Sequence, residues 1–68
     1  MIIYTRHAIY KRDALGLDKA AVRRVIRQGM KWINHGGKWH ANMEGLEVVF
    51  LKKGGSITVI TLYLAWKK

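Results

Sequence analysis

The amino-acid sequence predicts an α+β domain in which two N-terminal helices pack on a three- to four-stranded antiparallel sheet, a two-layer meander. Its 68 residues form one domain, because two domains of half that length would each have too few residues to enclose a hydrophobic core. Apolar residues recur at helical spacing before Gly29 and at strand spacing after it. Glycines then interrupt the second half where hairpin turns are expected.

Capping residues bound both predicted helices. Thr5 and Asp18 each precede a helical segment, where their side-chain oxygens can accept from first-turn amides. Gly16 and Gly29 follow the two segments and are typical of C-terminal stops. The helices are therefore predicted over residues of about 5–15 and 19–28.

Strand alternation is clearest in the segment before Glu44. There apolar and polar residues alternate, which predicts one buried face and one polar face that carries His40, a candidate working surface. The last segment is apolar on both sides, which is typical of a central strand covered by helices on one face. Strands are predicted over residues of about 30–34, 38–43, 46–52 and 56–66.

Net charge is the most unusual property of the composition. Thirteen Lys and Arg residues stand against four Asp and Glu residues, a formal charge of +9. Such a field concentrates polyanions, so RNA or another nucleic acid is the first expected partner and an acidic protein the second. No stretch approaches the roughly 18 apolar residues of a bilayer span, so a cytoplasmic protein with no membrane partner is expected. The oligomeric state stays open.

Residue types exclude several chemistries. The chain has no cysteine, which rules out disulfide scaffolds, thiolate zinc sites and iron–sulfur clusters. It has no glycine-rich phosphate loop and no metalloprotease helix. The four carboxylates are few and scattered, which argues against a paired acid and base. Neither a metal nor a cofactor is expected.

The side chains still available for catalysis are imidazole, basic and hydroxyl groups. Metal-independent RNA cleavage uses these three kinds of group. The 2′-hydroxyl already lies beside the phosphodiester, so a protein must accept one proton, donate another and neutralise charge. His7, in the first helical turn, is the leading proton carrier, with Arg12 on the phosphate and His40 and Tyr63 as further candidates. The predicted nucleic-acid docking residues are Lys19, Arg23, Arg24, Arg27 and Lys38.

Each candidate also has a structural interpretation. His7 fits a partly packed surface residue, Arg12 a partner for Asp13, and His40 an exposed strand residue. Tyr63 fits a buried tyrosine whose hydroxyl needs a partner. The cationic edge of the second helix fits a solvated surface.

Four short motifs resemble a known family. They are Tyr4-Thr5-Arg6-His7-Ala8, the break Leu15-Gly16-Leu17-Asp18, a valine-rich second helix ending at Gly29, and Val59-Ile60-Thr61-Leu62-Tyr63. Together they resemble the DUF4258 family over nearly the whole chain. The resemblance implies the barnase, EndoU, colicin and RelE-like ribonuclease fold, which includes many toxins of toxin–antitoxin systems.

The resemblance also implies roles for individual residues. His7 matches the family's helix histidine, Lys11 a position that is commonly arginine, and Thr61 and Tyr63 the polar positions of the last strand. Two departures stand out, because Lys11 lacks the bidentate geometry of arginine and Leu15 replaces a second arginine. Lys11 therefore joins Arg12 as a candidate for the scissile phosphate.

Three functions follow in order. The first is a toxin-like, metal-independent endoribonuclease. The second is a non-catalytic nucleic-acid-binding module that uses the same basic edge and the face around Trp39 and His40. The third is a basic interaction domain that docks an acidic protein such as an antitoxin.

Overall fold

Seven helices and strands follow one another in residues 1–65, the part of the chain that the computed structural model describes. Neither described helix is long and apolar enough to cross a membrane. The elements are β1 (Ile2–Tyr4), α1 (Arg6–Ala14), α2 (Lys19–Gln28), β2 (Met30–Ile33), β3 (Trp39–Met43), β4 (Leu46–Lys53) and β5 (Ser56–Leu64).

The strands form one five-stranded mixed sheet in the order β1-β5-β4-β3-β2. β1 runs parallel to β5, with Ile2 opposite Ile57, and all other neighbours are antiparallel. The predicted architecture, two leading helices on a three- to four-stranded antiparallel sheet, is therefore wrong. A strand precedes the helices, and its three residues are too few to show a strand period in the sequence.

The helix N-termini are capped as predicted. The Thr5 hydroxyl accepts from Ala8 N at 3.1 Å, and Asp18 Oδ1 accepts from Ala21 N at 2.8 Å. After α1, Gly16 has a φ of 69°, the left-handed conformation that commonly ends a helix. These caps fix where each helix begins and how closely α1 follows β1.

Gly29 ends α2 in a different way from the one predicted. Its φ of −71° and ψ of 162° are extended rather than left-handed. A Cβ at this position would lie 2.6 Å from Val25 O and 2.8 Å from Asn42 O. Glycine is therefore required because the end of α2 lies against the backbone of β3.

The core lies between the two helices and one face of the sheet. Phe50, Leu62 and Val22 are among its fully buried side chains, each contributing roughly 1.5–3 kcal/mol by burial. Ala41 lies in this core, with Trp39 and Met43 packed against it, so the predicted alternation of β3 is confirmed. His40 and Asn42 consequently belong to the opposite face.

A β-bulge changes the alternation of β5. Val49 pairs with Thr61 and Phe50 pairs with Val59, which leaves Ile60 as the extra residue. Val59 and Leu62 therefore both lie in the core, whereas simple alternation predicts them on opposite faces. β5 is an interior strand, as predicted, but it ends at Leu64. Ala65, which the prediction included, is not part of the strand, and Trp66 lies outside the described residues.

The bulge also determines what the other sheet face carries. Glu47 and Val49 alternate with core residues of β4, and they pair with Tyr63 and Thr61 of β5. We call this surface the uncovered face, because the buried residues of both helices pack on the opposite face. It bears His40, Asn42, Glu47, Val49, Thr61 and Tyr63.

Candidate functional site

A buried carboxylate organises the uncovered face. Glu47 is only 3 % exposed. Its Oε2 accepts from Tyr63 OH at 2.6 Å and lies 2.9 Å from His40 Nδ1, while its Oε1 accepts from Asn42 Nδ2 at 3.3 Å. Asn42 and Tyr63 are the register partners of Glu47 on the two neighbouring strands. Strand pairing thus brings four polar residues together, and we call them the Glu47 cluster.

The hydrogen-bond network assigns the tautomer of His40. Asn34 Oδ1 accepts from the backbone amides of Gly36 at 2.9 Å and Lys38 at 3.0 Å. Backbone amides only donate, so the other group facing His40 Nε2 at 3.0 Å is the NH2 of Asn34. Nε2 therefore accepts, and the ring proton on Nδ1 is donated to Glu47. His40 is a neutral imidazole in this arrangement.

Packing holds the His40 ring in place. Trp32, its register partner on β2, stacks on the imidazole with ring centroids 5.3 Å apart and an interplanar angle of 11°. The His40 side chain is 15 % exposed. One face and both nitrogens are thus in contact with protein groups, so the ring is oriented before any ligand arrives.

Tyr63 is held in its protonated form. The hydrogen bond to Glu47, burial and the nearby negative charge together raise the pKa of Tyr63 from 10.0 to about 12. The phenol therefore acts as a fixed hydrogen-bond donor at neutral pH. It holds Glu47 Oε2, the same oxygen that lies 2.9 Å from His40 Nδ1.

A second imidazole reaches the same face from α1. His7 is exposed, and its Nε2 lies 2.9 Å from Thr61 Oγ1. The start of α1 is anchored on β5, because Thr5 donates from its amide to Val59 O at 3.0 Å and from its hydroxyl to Ile60 O at 2.9 Å. These contacts set His7 beside the bulge.

Val49 separates the two imidazole positions. It pairs with His40 on one side and Thr61 on the other, so two strand spacings, roughly 10 Å, separate the backbones of β3 and β5 there. Val49 is buried and apolar. Lys11 follows His7 by one helical turn and lies on the same side of α1. His40 and His7 thus lie on either side of the buried Val49, and Lys11 is one helical turn from His7.

The side chain of Arg12 contacts Tyr4 and not the two histidines. Its guanidinium carbon lies 5.0 Å from the centre of the Tyr4 ring, which packs against the core. Nη2 is 3.7 Å from Asp13 Oδ1, and Nε and Nη1 are buried with no hydrogen-bond partner among residues 1–65. Arg12 is therefore on the helix side of the sheet, apart from the two imidazoles.

The predicted docking residues divide between several surfaces. Lys19, Arg23 and Arg27 line a cavity of about 340 Å³ on the helix side. Arg24 lines a different cavity on the other flank of α2, and Lys38 lies in the turn before β3. The structure therefore does not bring the basic edge of α2 next to His7 or His40.

Sequence reasoning missed Glu47 and Asn34. Glu47 interrupts an otherwise apolar run, and a lone acid in an interior strand was a signal that a partner lies on its face. Asn34 follows β2 in a turn and carried no such signal. Within residues 1–65 no group of three or more His, Cys, Asp or Glu side chains could hold a metal ion.

No protein-family model, curated protein or solved structure matches this chain. The resemblance to the DUF4258 family thus rests on the four motifs alone. Two of the residues in those motifs, His7 and Thr61, contact each other, and a third, Tyr63, belongs to the Glu47 cluster.

Proposed function

We propose that this protein is a metal-independent endoribonuclease of the toxin-like class and that it cleaves RNA on the uncovered face. One observation carries the proposal: a neutral His40, held by a buried carboxylate, shares that face with an exposed His7. The basic composition supports a polyanionic substrate. In this proposal the scissile phosphate lies between the two imidazoles, above the β4 position of Val49.

The cleavage step needs two proton transfers. His40 Nε2 takes the proton of the ribose 2′-hydroxyl once RNA displaces the amide of Asn34, and the 2′-oxygen attacks phosphorus. The bond from phosphorus to the 5′-oxygen breaks as a protonated His7 donates its proton to that oxygen. The products are a 2′,3′-cyclic phosphate and a 5′-hydroxyl, so atoms and charge balance.

The neighbouring groups have supporting roles in this scheme. Glu47 keeps the proton of His40 on Nδ1 and stabilises the imidazolium that forms, while Tyr63 positions Glu47. Lys11 offsets the charge that develops on the phosphorane. Arg12 takes no part, because its guanidinium lies over Tyr4.

The energetic cost of the Glu47 cluster favours a functional origin. Burying a carboxylate is unfavourable even when it is well hydrogen-bonded, and an apolar residue at the same place often serves stability as well or better. A buried acid that orients a histidine is a recurrent arrangement in sites of proton transfer. A purely structural sheet face has no need of it.

The test is an RNA cleavage assay in the presence of a chelator. Wild-type protein is expected to release products with cyclic phosphate ends from single-stranded RNA. His7→Ala and His40→Ala should each lower the rate by about 10²-fold or more, whereas His35→Ala, an exposed histidine in the β2–β3 turn, should leave it unchanged. Absence of cleavage, or equal cleavage by all variants, would refute the assignment.

A further inference from the structure

Basic residues line two adjoining cavities on the helix side of the sheet. Along α2 they recur every four residues, and the spacing continues into β2. Two cavities, of about 340 Å³ and 180 Å³, share Arg27, and Ile2 of the first pairs with Ile57 of the second. We call this feature the α2 groove. Its cations are Lys19, Arg23, Arg27, Lys31 and Lys52.

Among residues 1–65, no acidic side chain pairs with these cations. Neither cavity has an Asp or Glu in its lining, and none of the five forms an ion pair within residues 1–65. Lys31 Nζ donates to the carbonyls of Arg27 and Gly29 at 3.0 and 3.1 Å, so it also stabilises the negative end of α2. The groove therefore presents a row of uncompensated positive charge.

The floor of the groove is apolar. In the second cavity Ile26, Ile57 and Trp39 form the lining between the cations. The Trp39 ring is stacked on Phe50 with centroids 6.5 Å apart, and Lys52 Nζ lies 5.3 Å from its centre. Its ring system is already engaged, so the cavity suits an aliphatic side chain better than a stacking nucleobase.

We propose that the α2 groove binds an acidic, amphipathic segment of a partner protein. Lys19 to Arg27 spans two turns of α2, roughly 12 Å, which matches acidic residues spaced four apart on a partner helix. An apolar side chain of that helix would enter the cavity beside Ile57, as in helix-in-groove recognition. The charge pairs would determine orientation and association rate.

This binding site is separate from the proposed cleavage site. The α2 groove is on the helix side, whereas His7 and the Glu47 cluster belong to the uncovered face. The inference is therefore independent of whether the protein cleaves RNA. RNA could compete for the same cations. Its binding would depend on charge alone, whereas binding of the peptide segment would also use the apolar floor.

Fluorescence anisotropy at physiological salt tests the proposal with three probes of equal net charge. The first is a labelled helical peptide with glutamates four residues apart and leucines on the adjoining stripe. The second is the same peptide with its order scrambled, and the third is a uridine oligonucleotide. The patterned peptide should bind about tenfold or more tightly than either control, a difference of about 1.4 kcal/mol.

Two charge-reversal variants locate the site. Arg23→Glu should weaken patterned-peptide binding about tenfold or more. Arg24→Glu is the matched control, because it changes net charge equally but lies on the other flank of α2, and it should change affinity less than about threefold. Circular dichroism establishes that both variants are folded. Equal binding of the scrambled peptide, tighter binding of the oligonucleotide, or equal effects of the two variants would overturn the proposal.

Discussion

Replacing Glu47 by glutamine removes the charge on which the uncovered face depends while it keeps the size of the side chain. The carboxylate of Glu47 is the main cause of the raised pKa of Tyr63, through both a hydrogen bond and its charge. In Glu47→Gln the pKa of Tyr63 should therefore fall from about 12 towards its ordinary value of 10.0.

The same substitution should lower stability. Glu47 offers two oxygens to three donors, from Tyr63, His40 and Asn42. Glutamine offers one oxygen and adds an amide donor, so at least one N–H or O–H of these groups loses its acceptor, although Asn42 Nδ2 also donates to Ala65 O at 2.6 Å. A buried donor without a partner costs about 1–3 kcal/mol, and the free energy of unfolding should fall by that amount.

Two measurements check this prediction. Tyrosinate absorbance during an alkaline titration reports the pKa of Tyr63, once the absorbance of the Tyr63→Phe variant has been subtracted to remove the signal of the other tyrosines. Urea unfolding reports the free energy of unfolding. Glu44→Gln is the control, since Glu44 is an exposed acid in the β3–β4 turn and should change neither. If Tyr63 in Glu47→Gln still titrates near 12 and stability is unchanged, the Glu47 cluster does not hold the face as described.

Further predictions concern stability and pH. Between pH 10 and 12 folded Tyr63 keeps its proton while the unfolded chain releases it, so wild-type stability should fall with rising pH and Tyr63→Phe should flatten that slope. Gly29→Ala should cost about 1–3 kcal/mol through its clash with two carbonyl oxygens, whereas Gly55→Ala, which meets nothing within 4 Å, should stay within about 0.5 kcal/mol in the same urea unfolding experiment. Asp18→Ala should cost about 0.5–2 kcal/mol by loss of the α2 cap, read from the urea midpoint.

Local sequence signals predicted the helices well. Thr5 and Asp18 cap α1 and α2 because capping is a contact between residues three apart, which a sequence displays directly. The strand β1 was missed because its identity depends on parallel pairing with β5 at the other end of the chain. The bulge at Ile60 was missed for a similar reason, since only its partner strand shows the mismatch.

The candidate site was predicted in part. The alternation of β3 indicated that His40 lies on a polar face, and the hydroxyl of Tyr63 was expected to need a partner. The identity of that partner, Glu47, depends on the register between β4 and β5. Arg12 was assigned with Lys11 to the scissile phosphate, yet its guanidinium lies over the Tyr4 ring. The contacts of the candidate site that could not be predicted from the sequence are therefore those that depend on pairing between strands.

The protonation pattern of His40 tests the central claim most directly. Long-range nitrogen–proton NMR correlations of the imidazoles at neutral pH distinguish the two neutral tautomers from the charged form. We predict that His40 carries its proton on Nδ1 and has an unprotonated Nε2, and that Glu47→Gln weakens this preference, with exposed His35 as the internal reference. A proton on Nε2 of His40, or an imidazolium unaffected by Glu47→Gln, would contradict the view that Glu47 prepares this ring to accept a proton.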